Sequence, residues 1–297
     1  MQIESEAALW TSVLQWAEAT SRRKKEDVRT ILLTPVGKSF ILEQIRFEHF
    51  SKDEFEKRVM TLKYLREKEE NDCFKAHVFG KRASRNFSIE GVFGKKEWET
   101  YFGTVGKVPP LPKGILKILS GPCPFDGTRK VKETHILALV PKTVNGRPLS
   151  LNELERVVKN PKQGHRCQYR YREYAFFAAH GDVKIEESYW VLMKKTVLEG
   201  TRNQTFEQQQ AILVEHVQRL NTPYQVPKAL EVAVCLFVEY VKSGTRLLSD
   251  TPGTYTRCVE FVDNEPVIVG CFAAGGLDVS YSGSDYHVVG LAPLRKF

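Results

Sequence analysis

The chain has 297 residues, 42% hydrophobic and 11% aromatic, with a formal charge of +8. This is enough apolar material for one large domain or two smaller ones, and it excludes a disordered tail or a low-complexity array. The longest apolar stretch, near Val232–Val238, falls far short of the ~20 residues that cross a bilayer.

The opening MQIESEAALW has acids where a Sec signal needs cations. A cytoplasmic protein, or one exported by a non-Sec route, is therefore expected. From residue 5 to 29, Ala8, Leu9, Val13, Leu14, Trp16 and Ala17 recur at helical spacing ahead of a charged second half. A second amphipathic helix is predicted over 51–70. There Ser51 is the N-cap, Glu54 stands three residues later, and Phe55, Val59, Leu62 and Leu65 form the stripe. Between them, TPVGKS ends like a phosphate loop, but the first glycine of that motif would fall at Leu32, so the backbone cradle is missing.

Residues 104–128 are dense in Pro and Gly and read as a loop-rich join. HILALVPKTV then predicts a buried strand ended by Pro141, Asn145-Gly146 a turn, and SLNELERVVKN a helix beginning at Ser150 with Glu153 in the capping-box place. SYWVLMKKTV reads as a strand and residues 206–220 as a helix. Residues 227–244 read as a strongly apolar helix closed by Gly244. TRCVEFV, PVIVGCF, LDVSY and HVVGL follow as short strands. The order predicts an α+β fold without βαβ rhythm: a helical or mixed N-terminal part over 1–84 and an α+β domain over 85–297.

Six cysteines (Cys73, Cys123, Cys167, Cys235, Cys258, Cys271) occur without a CxxC, which suits reduced thiols. Cys123 and His135, with Asp126 or Asp182 behind them, compose a conceivable nucleophile pair, but no nucleophile motif surrounds them. His165 and Cys167 supply two metal ligands of the four that zinc needs, and His180 and Cys235 form no knuckle with them. Cys258 and Cys271 can meet across neighbouring strands or lie as two core thiols. The expectation is no enzyme, no metal and no cofactor.

Charge is uneven. Residues 101–231 hold 20 Lys/Arg against 12 Asp/Glu, and residues 232–297 hold 5 against 7. In the basic middle, Arg156, Lys159, Lys162, Arg166, Arg170 and Arg172 interleave with Tyr169, Tyr171 and Tyr174. That is the rival reading, a nucleic-acid interface in which cations meet phosphates and rings stack on bases. Tyrosines with an apolar body and polar tip serve equally in a core or a protein interface.

PYQVPKALEVAVCLFVEYVKSGTRL, with Tyr224, Pro227, Ala229 and Glu231, is followed by Val269, Gly270 and Phe272 and by Val289, Gly290 and Leu291. This succession resembles the C-type lectin fold of the formylglycine-generating-enzyme (sulfatase-modifying-factor) type, over roughly residues 185–297. Cys271 stands where that pattern has its second glycine. The enzyme members of the family hold copper with two cysteines five residues apart. Cys258 and Cys271 are thirteen apart, so the catalytic activity is not carried over. Over 90–297, FGKKEWETYFG, GPCPF, THILALVPKTVNGRPLSLNELERVVKNP and LRKF more closely resemble an uncharacterised protein family of chlamydia-type intracellular bacteria.

The lectin-like fold also occurs in variable proteins of diversity-generating retroelements, whose C-terminal segment keeps framing residues while surface codons starting from AAY change. The segment 266–297 is similar: the run from Ser280 to His287 draws entirely on residues such codons yield. The resemblance implies a ligand-binding, protein-binding module whose contacts are Asp278, Ser280, Tyr281, Ser282, Ser284, Asp285, Tyr286 and His287. Tyrosine gives large contact area at low rotamer cost, and short polar residues give adaptable hydrogen bonds. The expected partner is a protein ligand, a host-cell protein among the candidates, rather than nucleic acid or membrane. The alternative is a solvated hairpin turn.

Overall fold

The computed structural model describes residues 6–25, 27–32, 92–282 and 287–297. The expected helix over 51–70, the TPVGKS stretch and Cys73 lie outside them. The chain divides into two compact units, Met1–Phe87 and Ser88–Phe297. In the first, α1 (Glu6–Lys24) buries Val13, Ala17 and Thr20, while Trp16, placed on the stripe by the periodicity, is 37% exposed. The single helix expected to residue 29 is broken: Lys25 is left-handed at φ 56, and α2 (Val28–Leu32) begins anew, burying Ile31 and Leu32. Among the described residues, no helix is long and apolar enough to cross a membrane.

The second unit is α+β. Its first sheet has the order β1 (Val92–Phe93), β2 (His135–Val140), β6 (Tyr189–Lys194), β12 (Leu294–Lys296), β7 (Tyr224–Gln225). Every residue of β2 and β6 is buried, and the continuous apolar runs HILALV and YWVLM are what a sheet covered on both faces requires. The second sheet has the order β11 (Val289–Gly290), β8 (Tyr255–Val262), β9 (Glu265–Ala273), β10 (Gly276–Tyr281), β5 (Tyr169–Arg172). A small hairpin, β3 (Thr143–Val144) and β4 (Arg147–Pro148), turns at Asn145 and Gly146, whose φ values of 51 and 76 are those the Asn-Gly pair favours.

Four helices flank the sheets at the start of this unit: α3 (Lys95–Tyr101), α4 (Ile115–Ser120), α5 (Val131–Thr134) and α6 (Leu151–Lys159). Helix α4 is the departure from the expected join: a short apolar ILKILS turn set between Gly114 and Gly121. Ser150 caps α6 by accepting from the Glu153 amide, but the Glu153 carboxylate turns to Arg147 and Arg156 instead of closing the box. After α7 (Tyr174–His180) and α8 (Phe206–Leu220) comes α9 (Ala229–Ser243), buried on all sides from Ala229 to Val238. It packs on β2 and β6 of the first sheet and on β8 and β9 of the second. Its N-terminus is held by two carboxylates: Glu231 accepts from the Lys228 amide (2.8 Å) and the Tyr189 hydroxyl (2.9 Å), and Glu260 accepts from the Ala229 amide (3.0 Å). Gly244 closes it in the left-handed conformation.

His135 opens β2 fully buried, its ring between the Thr134 hydroxyl (2.9 Å) and the Tyr224 hydroxyl (3.3 Å) and stacked near Phe125. Burial, and next the Lys194 ammonium, push its pKa from 6.5 down to about 3. The unfolded chain therefore takes a proton on this imidazole near pH 6.5 and the folded chain does not. The stabilisation from neutral His135 is complete above pH 6.5 and is lost as pH falls toward 3. By pH 5 the loss is about 2 kcal/mol. Urea unfolding at pH 7 and pH 5 should show this loss in the native chain, and His135→Gln should remove it; an unchanged pH slope in the variant would refute the assignment.

Candidate functional site

The second sheet carries the window singled out by sequence. β8 and β9 are joined by Asp263 and Asn264, both left-handed (φ 48 and 68), and β9 and β10 by Ala274 and Gly275. β10 then runs parallel beside β5. Between Leu277 and Val279 the partner strand advances three residues, Tyr169 to Arg172, against two on β10. Arg170 and Tyr171 together oppose Asp278, a bulge that redirects both side chains.

Tyr255, Gly270 and Asp278 form one row across β8, β9 and β10. The Tyr255 hydroxyl donates to Asp278 Oδ2 (3.0 Å) across two strand spacings, and glycine between them leaves that path open. A Cβ on Gly270 would stand 2.3 Å from the Thr254 carbonyl oxygen and 2.7 Å from Tyr255 Cα. Arg170 completes the arrangement, its Nε donating to Asp278 Oδ1 (2.8 Å) and its Nη2 to Oδ2, with Cys271 Sγ 3.6 Å away. The carboxylate raises the Arg170 pKa, and burial raises that of Tyr255. Cys271 itself is left-handed at φ 45.

Asp278 is thus a correction to the expected contact set. It is 6% exposed with both oxygens engaged, because the β5 bulge brings a guanidinium onto it. Ser280, Tyr281 and Ser282 are partly exposed, and Tyr281 packs on the edge of the core. The Ser282 amide donates to the Pro266 carbonyl (3.0 Å). His287 is exposed, and its carbonyl accepts from Arg202 (2.6 Å). Ser284, Asp285 and Tyr286 lie outside the described residues.

Sequence reasoning missed two exposed tyrosines on the segment beside β10. Tyr171 is 51% exposed and Tyr174 84% exposed, and between them the Glu173 amide donates to the Val279 carbonyl (3.0 Å), tying this segment to β10. Glu173, then burial, Asp263 and Glu265 raise the Tyr281 phenol pKa, with Tyr171 also close enough to act on it. The signal was present in YRYREY, read as part of a nucleic-acid interface. In the fold four of its six cations are paired with acids: Arg170 with Asp278, Arg172 with Glu155 (2.7 Å), Arg156 with Glu153, Lys159 with Glu155 (3.0 Å); Lys162 reaches the Glu99 carbonyl (3.4 Å) and Arg166 is exposed. Tyr169 is buried in the core.

The Cys123–His135 candidate pair is sealed, whereas His165 and Asp182 are exposed. Cys123 is 1% exposed and His135 fully buried. Cys258 lies in the core, whereas Cys271 lies beside Arg170, so these two do not meet. Among the described residues no group of three His, Cys, Asp or Glu side chains is placed to hold a metal. Of two surface cavities, one of about 340 Å³ has Lys159 and Arg166 in its lining, and one of about 500 Å³ has Lys132, Lys195 and Lys242 together with Glu133 and Glu239. Neither lining includes any residue of the 278–287 window. Comparison with protein-family models, with curated proteins and with solved structures finds no match to this chain.

The clamp on Asp278 has a measurable cost of removal. Asp278→Ala should lower unfolding stability by about 2 kcal/mol, less than a fully buried pair because half-exposed Arg170 can return to water. Gly270→Ala should cost at least as much through its backbone clash, about 2–4 kcal/mol. Urea unfolding with both variants near wild-type stability would refute this account of the row.

Proposed function

We propose that the chain is a ligand-binding module that presents a tyrosine-rich surface on a C-type-lectin-like scaffold, with a protein as its ligand. The observation that carries this reading is the exposure of Tyr171 on β5 and of Tyr174 at the start of α7, on the segment that runs beside β10 and its partly exposed Tyr281, with β5 and β10 braced by the Asp278 clamp. Bulky aromatics held on regular structure bind with little ordering cost. A surface lying outside both cavities suits a protein partner better than a small molecule.

Several features support the scaffold. The β8–β9–β10 meander follows α9, and β12 returns to pair antiparallel with β6 and β7 in the other sheet. Glu231 of the Tyr224–Glu231 motif caps α9 and binds Tyr189. Gly290 approaches Val197 so closely that a Cβ would stand 2.8 Å from its Cβ. Cys271 takes the left-handed φ that a glycine accepts without strain. In this reading Ser280 to His287 is the part open to retroelement diversification, and Ser284, Asp285 and Tyr286 join it as contacts. A reverse-transcriptase gene beside a near-copy of the coding end, differing only at adenines, is the genomic outcome expected of diversification.

Binding is tested by selecting random displayed peptides on the immobilised full chain, with counter-selection on the Tyr171→Ala/Tyr281→Ala double variant. Clones should emerge that lose affinity roughly 30-fold on at least one of Tyr171→Ala, Tyr281→Ala and Tyr286→Ala, the size of a tyrosine hot spot of about 2 kcal/mol. Thermal melts establish that the variants stay folded. Failure to enrich any tyrosine-dependent clone would overturn the binding reading.

A further inference from the structure

We infer that the chain holds a second site, a cavity that takes a small organic phosphate, independent of the tyrosine surface described above. The cavity, of about 340 Å³, lies among the last residue of α6, the segment that follows it, the last turn of α9 and the turn from β9 to β10. Small-molecule sites begin at about this size, roughly 300 Å³. Its lining includes Lys159 and Arg166 and no Asp or Glu, whereas the larger cavity mixes both signs.

Backbone bonds fix these walls. The His165 amide donates to the Val241 carbonyl (2.9 Å) and the Cys167 amide to the Val158 carbonyl (3.1 Å), so the backbone of Arg166 is tied on one side to α9 and on the other to α6. The same bonds occupy carbonyls in the last turns of both helices, whose partial negative charge would otherwise oppose an anion. Across the cavity, the Leu277 amide donates to the Gln168 carbonyl (2.9 Å) and seats the β9–β10 turn beside this segment. The Arg166 guanidinium is exposed and pairs with no carboxylate among the described residues. Lys159 pairs with Glu155 (3.0 Å), but Glu155 also holds Arg172 (2.7 Å), so one carboxylate serves two cations. Positive charge is left over at this wall.

Below the cations the lining is aromatic. Phe272 is buried and Tyr240 half-buried, with ring centres 5.0 Å apart and planes tilted by 49°, whereas Lys159 and Arg166 are exposed. The His165 ring and the Arg246 guanidinium lie 5.6 and 5.5 Å from the centre of Tyr240. An apolar floor under a cationic rim matches a molecule with an anionic head and an apolar body. Phosphate suits the head better than carboxylate. Its three oxygens diverge and can meet donors at separate positions, Lys159, Arg166 and the exposed Gln168 amide, whereas a carboxylate offers two oxygens in one plane.

Isothermal titration calorimetry of the full chain with phenyl phosphate, inorganic phosphate, benzoate and benzyl alcohol tests the assignment. Phenyl phosphate should bind with a Kd of about 1 mM or tighter. Inorganic phosphate and benzoate should bind several-fold more weakly, and benzyl alcohol not measurably. Arg166→Gln should weaken phenyl phosphate about tenfold, the effect of losing one charged hydrogen bond. Tyr240→Leu should weaken phenyl phosphate and leave inorganic phosphate unchanged. Lys195→Gln, in the other cavity, and Tyr171→Ala, on the tyrosine surface, should change neither. Thermal melts near that of the parent establish that each variant is folded. No saturable binding of phenyl phosphate up to about 10 mM, or binding that Arg166→Gln leaves intact, overturns the site. Benzoate or inorganic phosphate binding as tightly as phenyl phosphate overturns the ligand class. None of these outcomes bears on the tyrosine surface, whose own test is the peptide selection.

Discussion

The second sheet depends on one carboxylate. Asp278 accepts from Arg170 on β5 and from Tyr255 on β8, and so links strands on either side of the hairpin to which it belongs. At this point Gly270 lets the β8 backbone at Thr254 and Tyr255 come closer than a side chain would allow, and β5 carries one residue more than β10. A charged group with both oxygens satisfied can be buried, whereas an unsatisfied one is expelled or neutralised. The same bulge that turns Arg170 onto Asp278 leaves Tyr171 exposed. The clamp and the exposed aromatic surface are therefore two results of one local irregularity.

Behind this sheet lies α9, apolar around its whole circumference and therefore required to be covered on every side. Both sheets meet that requirement, and the carboxylates of Glu231 and Glu260 satisfy the amides at its buried start. With β2 and β6 closed on both faces, the first sheet has no solvent-facing side in its central strands and serves as framework. The exposed rings of Tyr171 and Tyr174 lie on β5, the edge strand of the other sheet, and at the start of α7 that follows it.

Charge follows the same division. Four of the six cations of the Arg/Tyr run, Arg156, Lys159, Arg170 and Arg172, are paired with acids of α6 and β10. Tyr171 and Tyr174 remain exposed among them, as does Asp263 of the β8–β9 turn.

Much of the element order was legible from the residues. Helix α8 falls on 206–220, α9 ends at Gly244, the Asn145-Gly146 turn forms, and the short strands from Tyr255 onward appear where apolar and polar residues alternate. These features rest on interactions between residues close in sequence: caps, turn conformations and periodicity. The role of Asp278 was not legible, nor were the partners of Arg170 and Arg172 or the association of Tyr171 and Tyr174 with Tyr281. These pairings join separate elements, Arg170 and Asp278 across 108 residues and Arg172 and Glu155 across 17, and the arithmetic of a strand bulge, invisible in periodicity, decides which side chain meets which. The sequence alone determined that a polar, tyrosine-bearing window ends a well-framed domain. Only the tertiary structure decided which of its residues face water and what charge surrounds them, because exposure and electrostatic surroundings are properties of neighbours brought together by folding.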